Sequence, residues 1–373
     1  MIDLAAARET FERSQDLTVG IEEEYALVHP DTLELVPRFE ELRDAGAADP
    51  VLADAISGEL ISSEIEIRSG RGEDFAEARA KQREARRRLF ALAEEHGVRL
   101  GTTGTHPLSD YRDQHIIDTP HYHRVEDGLK YVAWRNNTFA LQVHVGVQGA
   151  DRAVRVCDRL RPVLPLLLAI SANSPFVDGR DSGLHSARTQ IFTKSFPRCG
   201  VPDAFGGWDA WAEYVDLLVR TGSIMEFTQL WWSVRPHHAF GTVEVRICDA
   251  QTTAPEAEAL TELMVGCVAQ ALREIDAGET PPDLPHRLIE ENMWRAIRYG
   301  QDGQLLDLEA ERIEEFPAAE AADRLKAWTG VDVPLPELNG AQRQRRMIDA
   351  GAAPFEVYAK CVEETRVTYE TAV

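Results

Sequence analysis

Four stretches of the chain alternate strictly between apolar and other residues, the period of a β-strand with one buried face and one face of different character. In LTVGIEEEYALV, Val19, Ile21, Glu23 and Tyr25 share one side, and Gly20, Glu22, Glu24 and Ala26 share the other. LISSEIEI sets Ile61, Ser63, Ile65 and Ile67 against Ser62, Glu64 and Glu66. ALQVHVGV sets Leu141, Val143, Val145 and Val147 against Gln142, His144 and Gly146. TVEVRIC sets Val243, Val245 and Ile247 against Thr242, Glu244, Arg246 and Cys248.

The apolar strand faces need a packing partner, and helical segments between the strands supply it. One is predicted from about Glu73 to His96, ended by Gly97. A second starts at Asp151 as N-cap and runs to about Asn173, kinked at Pro162 and Pro165, and a third covers about Pro255 to Ala277. The last third of the chain reads as mostly helical and charged. HPLSDYRDQHIIDTPHYHRV and SPFVDGRDSGLHSARTQ have loop composition, and loops of that length in a compact domain are often functional.

Strands interleaved with helices and no internal repeat predict an α+β fold, a mostly antiparallel sheet with helices layered on one face. No linker rich in Gly, Ser or Pro divides the chain. Residues 1–373 therefore read as one unit, with a helical C-terminal portion from about residue 285, beyond the joint GETPPDLPHR. On this layout the face with Glu22, Glu24, Glu66, His144, Glu244 and Arg246 lines an open cavity.

Charge narrows the partners. A formal net charge of −23, from 63 acidic against 40 basic side chains, repels nucleic-acid backbones and anionic lipid. An anion such as ATP must then be admitted by divalent cations and a few placed arginines. The five cysteines are widely spaced with no CxxC pair, and read as reduced, buried thiols of a cytoplasmic protein. The N-terminal stretch lacks the basic start and apolar centre of a signal peptide, and the longest apolar run, around Val163 to Ile170, is too short to span a membrane.

Glu22 and Glu24, two apart on a strand, project the same way at about 7 Å spacing. One such pair usually marks a solvated face. Its repetition on four strands, among small residues such as Gly20, Ala26, Ser62 and Gly146, points instead to a cavity with room for a ligand. Carboxylates gathered there raise one another's pKa unless cations lie between them, and oxygen donors with one imidazole suit magnesium or manganese. No GxxxxGK[ST] or GxGxxG occurs, so ATP would be held by metal-bridged carboxylates and arginines. The candidates are Arg180, Arg188, Arg235 and Arg246, while the run Arg343 to Arg346 reads as a charged helix face. His115, His121 and His123 lack a second cluster for zinc, and Ser171 and Ser174 lack a nucleophile elbow.

The blocks TVGIEEEYALV, SEIEIRSG, GTHPLSDY, LQVHVGV, AISANSPFVDGRDSGLHSAR, WWSVRPHHAFGTVEVRICDAQTT and ENMWRAIRYG, between about Thr18 and Gly300, resemble the carboxylate-amine ligase group related to type 2 glutamate-cysteine ligases. The resemblance implies a funnel-like antiparallel sheet backed by helices, of the glutamine synthetase-like and glutamate-cysteine ligase-like kind, with ATP and magnesium inside it. It also implies a reaction: ATP phosphorylates the γ-carboxylate of glutamate, and the amine of cysteine displaces phosphate. By similarity Glu22, Glu24, Glu66, His144 and Glu244 fall at metal-ligand positions. Arg246 falls where an arginine meets the transferred phosphoryl group, which makes Glu66, Glu244 and Arg246 the expected catalytic residues. Glu64 stands where many members of the group have glutamine, and its role is open. The partners expected are small-molecule substrates, with neither nucleic acid nor membrane, and a homodimer is compatible with the sequence. Two other classes fit the same carboxylates: a metal-dependent phosphohydrolase, and a nucleotide or amino-acid sensor signalling through its helical C-terminus.

Overall fold

The alternating segments assemble into one seven-stranded sheet in the computed structural model, which describes residues 2–371 and so leaves the two ends of the 1–373 unit outside it. Its strands are β1 (Val19–Val28), β2 (Ile56–Ser57), β3 (Glu64–Arg68), β4 (Arg99–Gly101), β5 (Ala140–Gly146), β6 (Val234–His237) and β7 (Thr242–Asp249). They lie in the order β6, β7, β5, β1, β3, β2, with β4 also paired to β1, and every pairing is antiparallel. The expected α+β arrangement, an antiparallel sheet with helices on one face, is what forms.

The helices used below are α1 (Phe75–Glu95), α2 (Pro120–Leu129), α3 (Ala150–Leu160), α4 (Leu164–Ser171), α5 (Ala187–Ser195), α6 (Ala254–Asp276) and α7 (Pro354–Thr371). Val19, Ile21, Ile65, Ile67, Val143, Val145, Val243 and Val245 are buried in one core. Helix α1 packs on β1 and β3, α3 on β6 and β7, α4 on β7, and α6 on β5. Among the described residues no helix is long and apolar enough to cross a membrane.

Local chemistry explains the element boundaries, and four departures from expectation stand out. Helix α1 starts where the Asp74 carboxylate accepts the Glu77 backbone N–H, and the chain turns beyond it through Gly97 at φ +64°. Asp151 is not the N-cap of α3. Gly149 takes that place, and Asp151 accepts the Trp208 backbone N–H at 3.1 Å from the first turn. The two prolines break the following stretch: a 3-10 turn, Arg161–Val163, separates α3 from α4. Both long segments read as loops contain helix. Thr119 caps α2 with Pro120 at its first position, and Ser186 caps α5. The helical C-terminal portion also holds a small strand pair, Gln304–Asp307 with Glu314–Pro317.

Glu23 belongs to the core side of β1, between its two pocket-facing neighbours. Arg86 of α1 donates to it through Nε and Nη2, both at 2.6 Å, and Gln82 Nε2 donates at 2.6 Å. Tyr25 Oη adds a bond at 3.0 Å, and Arg86 Nη1 reaches Glu258 of α6 at 2.9 Å. Burying this charge is tolerable because both carboxylate oxygens find donors, with a guanidinium N–H on each. The network bolts two helices to the central strand.

Removing Arg86 (Arg86→Ala) leaves the Glu23 carboxylate buried and short of its counter-charge, and the expected loss of stability is about 3–5 kcal/mol. Urea unfolding at neutral pH measures it. A loss below about 1 kcal/mol would show that the core tolerates Glu23 alone.

Candidate active site

Strand register writes the non-core face as rows of side chains. Arg235 on β6 lies opposite Glu244 on β7, which lies opposite His144 on β5, itself opposite Gly20 on β1. The next row is Gln142, Glu22 and Arg68, and the next is Glu24, Glu66 and Ser57. Directly opposed residues sit about 4.5–5.5 Å apart, so the rows crowd carboxylates by construction. Gly146 does not open space here: a Cβ on it would come within 2.2 Å of the Gln15 carbonyl oxygen.

The rows floor a cavity of about 440 Å³. Glu22, Glu24, Glu66, His144 and Glu244 all line it, as do Arg188, Arg235 and Arg246. Arg180 does not; it is exposed on the short strand Arg180–Asp181, paired with Phe176–Val177 away from the sheet. Arg343 and Arg345 serve structure, in ion pairs with Glu256 and Asp181. Of the three histidines weighed for zinc, His121 lines the cavity and pairs with Glu226 at 3.3 Å, but among the described residues no metal-ligating cluster contains any of them. Tyr122 of α2, Phe192 of α5 and Phe196 just beyond α5 raise walls over the floor, and Trp231 stands beside Phe196 at 5.4 Å between ring centres.

The carboxylates divide into two clusters. Glu22, His144 and Glu244 each present a ligand atom within 4.8 Å of the others, and so do Glu24, Glu59 and Glu66. Glu59 escaped the strand pattern because it stands in the turn between β2 and β3, where no alternation marks it. The one available signal was an acidic residue between Gly58 and the strand that carries Glu64 and Glu66.

The first cluster is internally compensated. Burial pushes the Glu22 carboxyl up, but His144 Nε2 at 3.3 Å more than offsets it, and the net shift is down. Burial likewise opposes charge on Glu244, yet Arg235, Arg246 and His144 hold that carboxyl well below its ordinary value. Arg235 meets Glu244 through Nε at 2.6 Å and Nη2 at 3.2 Å, and Arg246 pairs with it as well. Burial disfavours the His144 imidazolium, but Glu22 and Glu244 raise its pKa overall, while its Nδ1 contacts Thr242 Oγ1 at 2.9 Å.

The second cluster is not fully compensated, although Arg68 Nε lies 3.5 Å from Glu66 Oε1. Burial, only partly offset by Arg188 and Arg246, pushes Glu24 up, although the Ala140 N–H and Gln142 amide donate to it at 2.5 and 2.6 Å. Burial followed by repulsion from Glu24 lifts Glu59 to about 7. Glu66 is raised well above its ordinary value by burial and then by Glu22, Glu59 and Glu24. Glu64 is buried on the same face with no hydrogen-bond partner on either oxygen, and burial with Glu24 and Glu59 raises it strongly. Against these acids stand Arg188 and Arg246, each with a buried Nε–H that has no acceptor. Crowded hard-oxygen donors and unspent guanidinium donors on one wall fit divalent cations and a polyanion respectively.

Residues 18–355 match the family described as Glutamate-cysteine ligase family 2. A Rubrobacter xylanophilus protein provisionally named glutamate–cysteine ligase 2-2 is 41% identical over 308 residues, 83% of this chain and 78% of its own. A second from that organism, provisionally named 2-1, is 39% identical over 364 residues, 94% and 95%. The protein named glutamate–cysteine ligase from Natronomonas pharaonis is 35% identical over 348 residues, 92% and 94%. Among solved structures, the glutamate–cysteine ligase of Francisella tularensis in complex with AMP aligns with a TM-score of 0.65 at 12% identity, covering 97% of this chain and 90% of that one. The bifunctional glutathione synthetase of Pasteurella multocida gives 0.67 at 12% identity over 98% of this chain and 54% of the other, so this chain spans about half its length. At that identity both show a shared fold.

The uncompensated acids predict a coupled response to pH and metal. A carboxyl whose folded pKa is raised favours the folded state when protonated, so its contribution is present below the unfolded value of 4.5 and lost as pH rises through about 7 for Glu59. Magnesium should restore what ionisation removes, raising the melting temperature by several degrees at about pH 8 and hardly at all at about pH 5. Thermal melts with magnesium or with chelator test this, and an equal or absent metal effect at both pH values would contradict it.

Proposed function

The chain belongs to the glutamate-cysteine ligase family 2, and on that footing we propose that it uses ATP to join the γ-carboxylate of glutamate to the amine of cysteine. The observation that carries the reading is the pair of three-ligand clusters set beside Arg188, Arg235 and Arg246 on one sheet face. A carboxylate is a poor electrophile until it is phosphorylated, and phosphoryl transfer builds negative charge that the protein must neutralise. A carboxylate oxygen attacks the γ-phosphorus and ADP leaves; the amine then attacks the acyl carbon, and phosphate leaves with the amide bond formed.

Glu22, His144 and Glu244 would hold one divalent cation and Glu24, Glu59 and Glu66 a second. Such cations supply charge neutralisation and alignment for the nucleotide phosphates. Arg246 and Arg188 bring Nε–H donors to the same wall, suited to the oxygens of the transferred group. Arg235 holds Glu244 from behind and is itself fixed by the Leu230 carbonyl at 2.5 Å, which keeps the ligand end of Glu244 in place. His237 and His238 line the cavity with pKa values lowered by burial to about 2 and about 4, so both stay neutral and add no charge to repel an ammonium group. The aromatic walls would help to shield an acyl phosphate from water that would hydrolyse it.

ADP formation with magnesium, glutamate and cysteine tests the reading, with no stimulation over ATP alone by any acid and amine pair as the contrary outcome. Phosphate appearing without an amine acceptor would favour the hydrolase instead. Glu66→Gln and Glu244→Gln are each expected to lower turnover about a hundredfold or more. Activity retained in both variants would remove the site.

A further inference from the structure

Asp249, the last residue of β7, is completely buried and stands outside the carboxylate clusters. Its Oδ2 accepts the Asn173 backbone N–H at 2.8 Å and the Ser174 hydroxyl at 2.6 Å, and its Oδ1 accepts the Ser186 hydroxyl at 2.8 Å. Both hydroxyls relay the grip to the first turn of α5. Ser174 Oγ accepts the Arg188 backbone N–H at 3.1 Å, and Ser186 Oγ accepts that of Thr189 at 3.1 Å. One carboxylate thus fixes where α5 begins.

The Arg188 side chain closes the ring from the other end. Its Nη1 and Nη2 donate to the carbonyls of Ile247 and Arg246, both at 3.1 Å, and Nη1 lies 3.8 Å from Asp249 Oδ1. Those carbonyls belong to the stretch where β7 shifts register against β5, between Val245 and Cys248. The space around Asp249 is equally fixed, since a Cβ on Gly104 would approach its Cγ to 2.6 Å. Apolar side chains would stabilise a purely structural junction at lower cost than a buried carboxylate, which must recover its desolvation through every bond it makes.

We infer that Asp249 is a positioning residue, which holds the Arg188 guanidinium in register with Arg246 so that the two together receive the phosphate chain of the nucleotide. The inference rests on the proposed nucleotide-dependent function. Asp249 does not line the cavity, and its link to the nucleotide would run through Arg188, which separates it from a general contributor to stability.

A double-mutant cycle on the full chain tests this, read as the affinity for magnesium-ATP through the fluorescence of Trp231 and its neighbours. Asp249→Asn should weaken binding about tenfold, as expected for loosening a charge-assisted contact, and Arg188→Ala should weaken it at least as much. The double variant should bind no more weakly than Arg188→Ala alone. Additive losses, or Asp249→Asn binding as tightly as the wild type, would overturn the inference. Should Asp249→Asn fail to fold, Ser174→Ala in the same cycle replaces it, with a smaller loss that again vanishes in the Arg188→Ala background; a loss that persists there refutes the inference. Failure of the wild type to bind magnesium-ATP would instead defeat the functional reading itself.

Discussion

Like charges brought together on a buried surface repel, and in this protein that repulsion is built into the hydrogen-bonding register of a sheet. Antiparallel pairing of β1 with β3 and β5 sets Glu24 against Glu66 and Glu22 beside His144. Glu64 and Glu59 add to the same wall. The strands carrying most of these acids are locked from behind by apolar packing and by the Glu23–Arg86 network, so the backbone cannot move them apart without cost to the core. The folded chain therefore carries an electrostatic load that either protonation or bound cations would discharge.

Three consecutive glutamates, Glu22, Glu23 and Glu24, show how one strand separates folding from chemistry. The pleat sends Glu23 into the helices, where Arg86, Gln82 and Tyr25 satisfy it. Glu22 and Glu24 point the other way, where Glu22 finds an imidazole and Glu24 takes the Ala140 N–H and Gln142 amide beside the carboxylates of Glu59 and Glu66. The same division operates among the arginines: Arg86 is spent entirely on structure, whereas Arg188 and Arg246 each keep an unpartnered Nε–H at the cavity.

Much of this could be read from period-two alternation, because a strand with one buried face must place Glu22, Glu24, Glu66, His144 and Glu244 together once the sheet closes up. What alternation could not reveal lies where the period breaks. A register shift in β7 between Val245 and Cys248 carries Cys248 into the core, against the strict pattern. Glu59 lies in a turn, and Arg180, in a segment of similar loop character to Arg188, ends up exposed because the helix cap at Ser186 turns only the latter inward. The Asp249 network joins residues far apart in sequence and has no local signature at all.

Two separate carboxylate clusters should mean two separate cation sites, and manganese binding followed by electron paramagnetic resonance counts them. One saturable manganese ion per cluster, two per chain, is expected, with Glu22→Gln losing one and Glu59→Gln losing the other. No saturable binding, or both variants binding as the wild type does, would contradict the view that the acids of this sheet are arranged to hold metal.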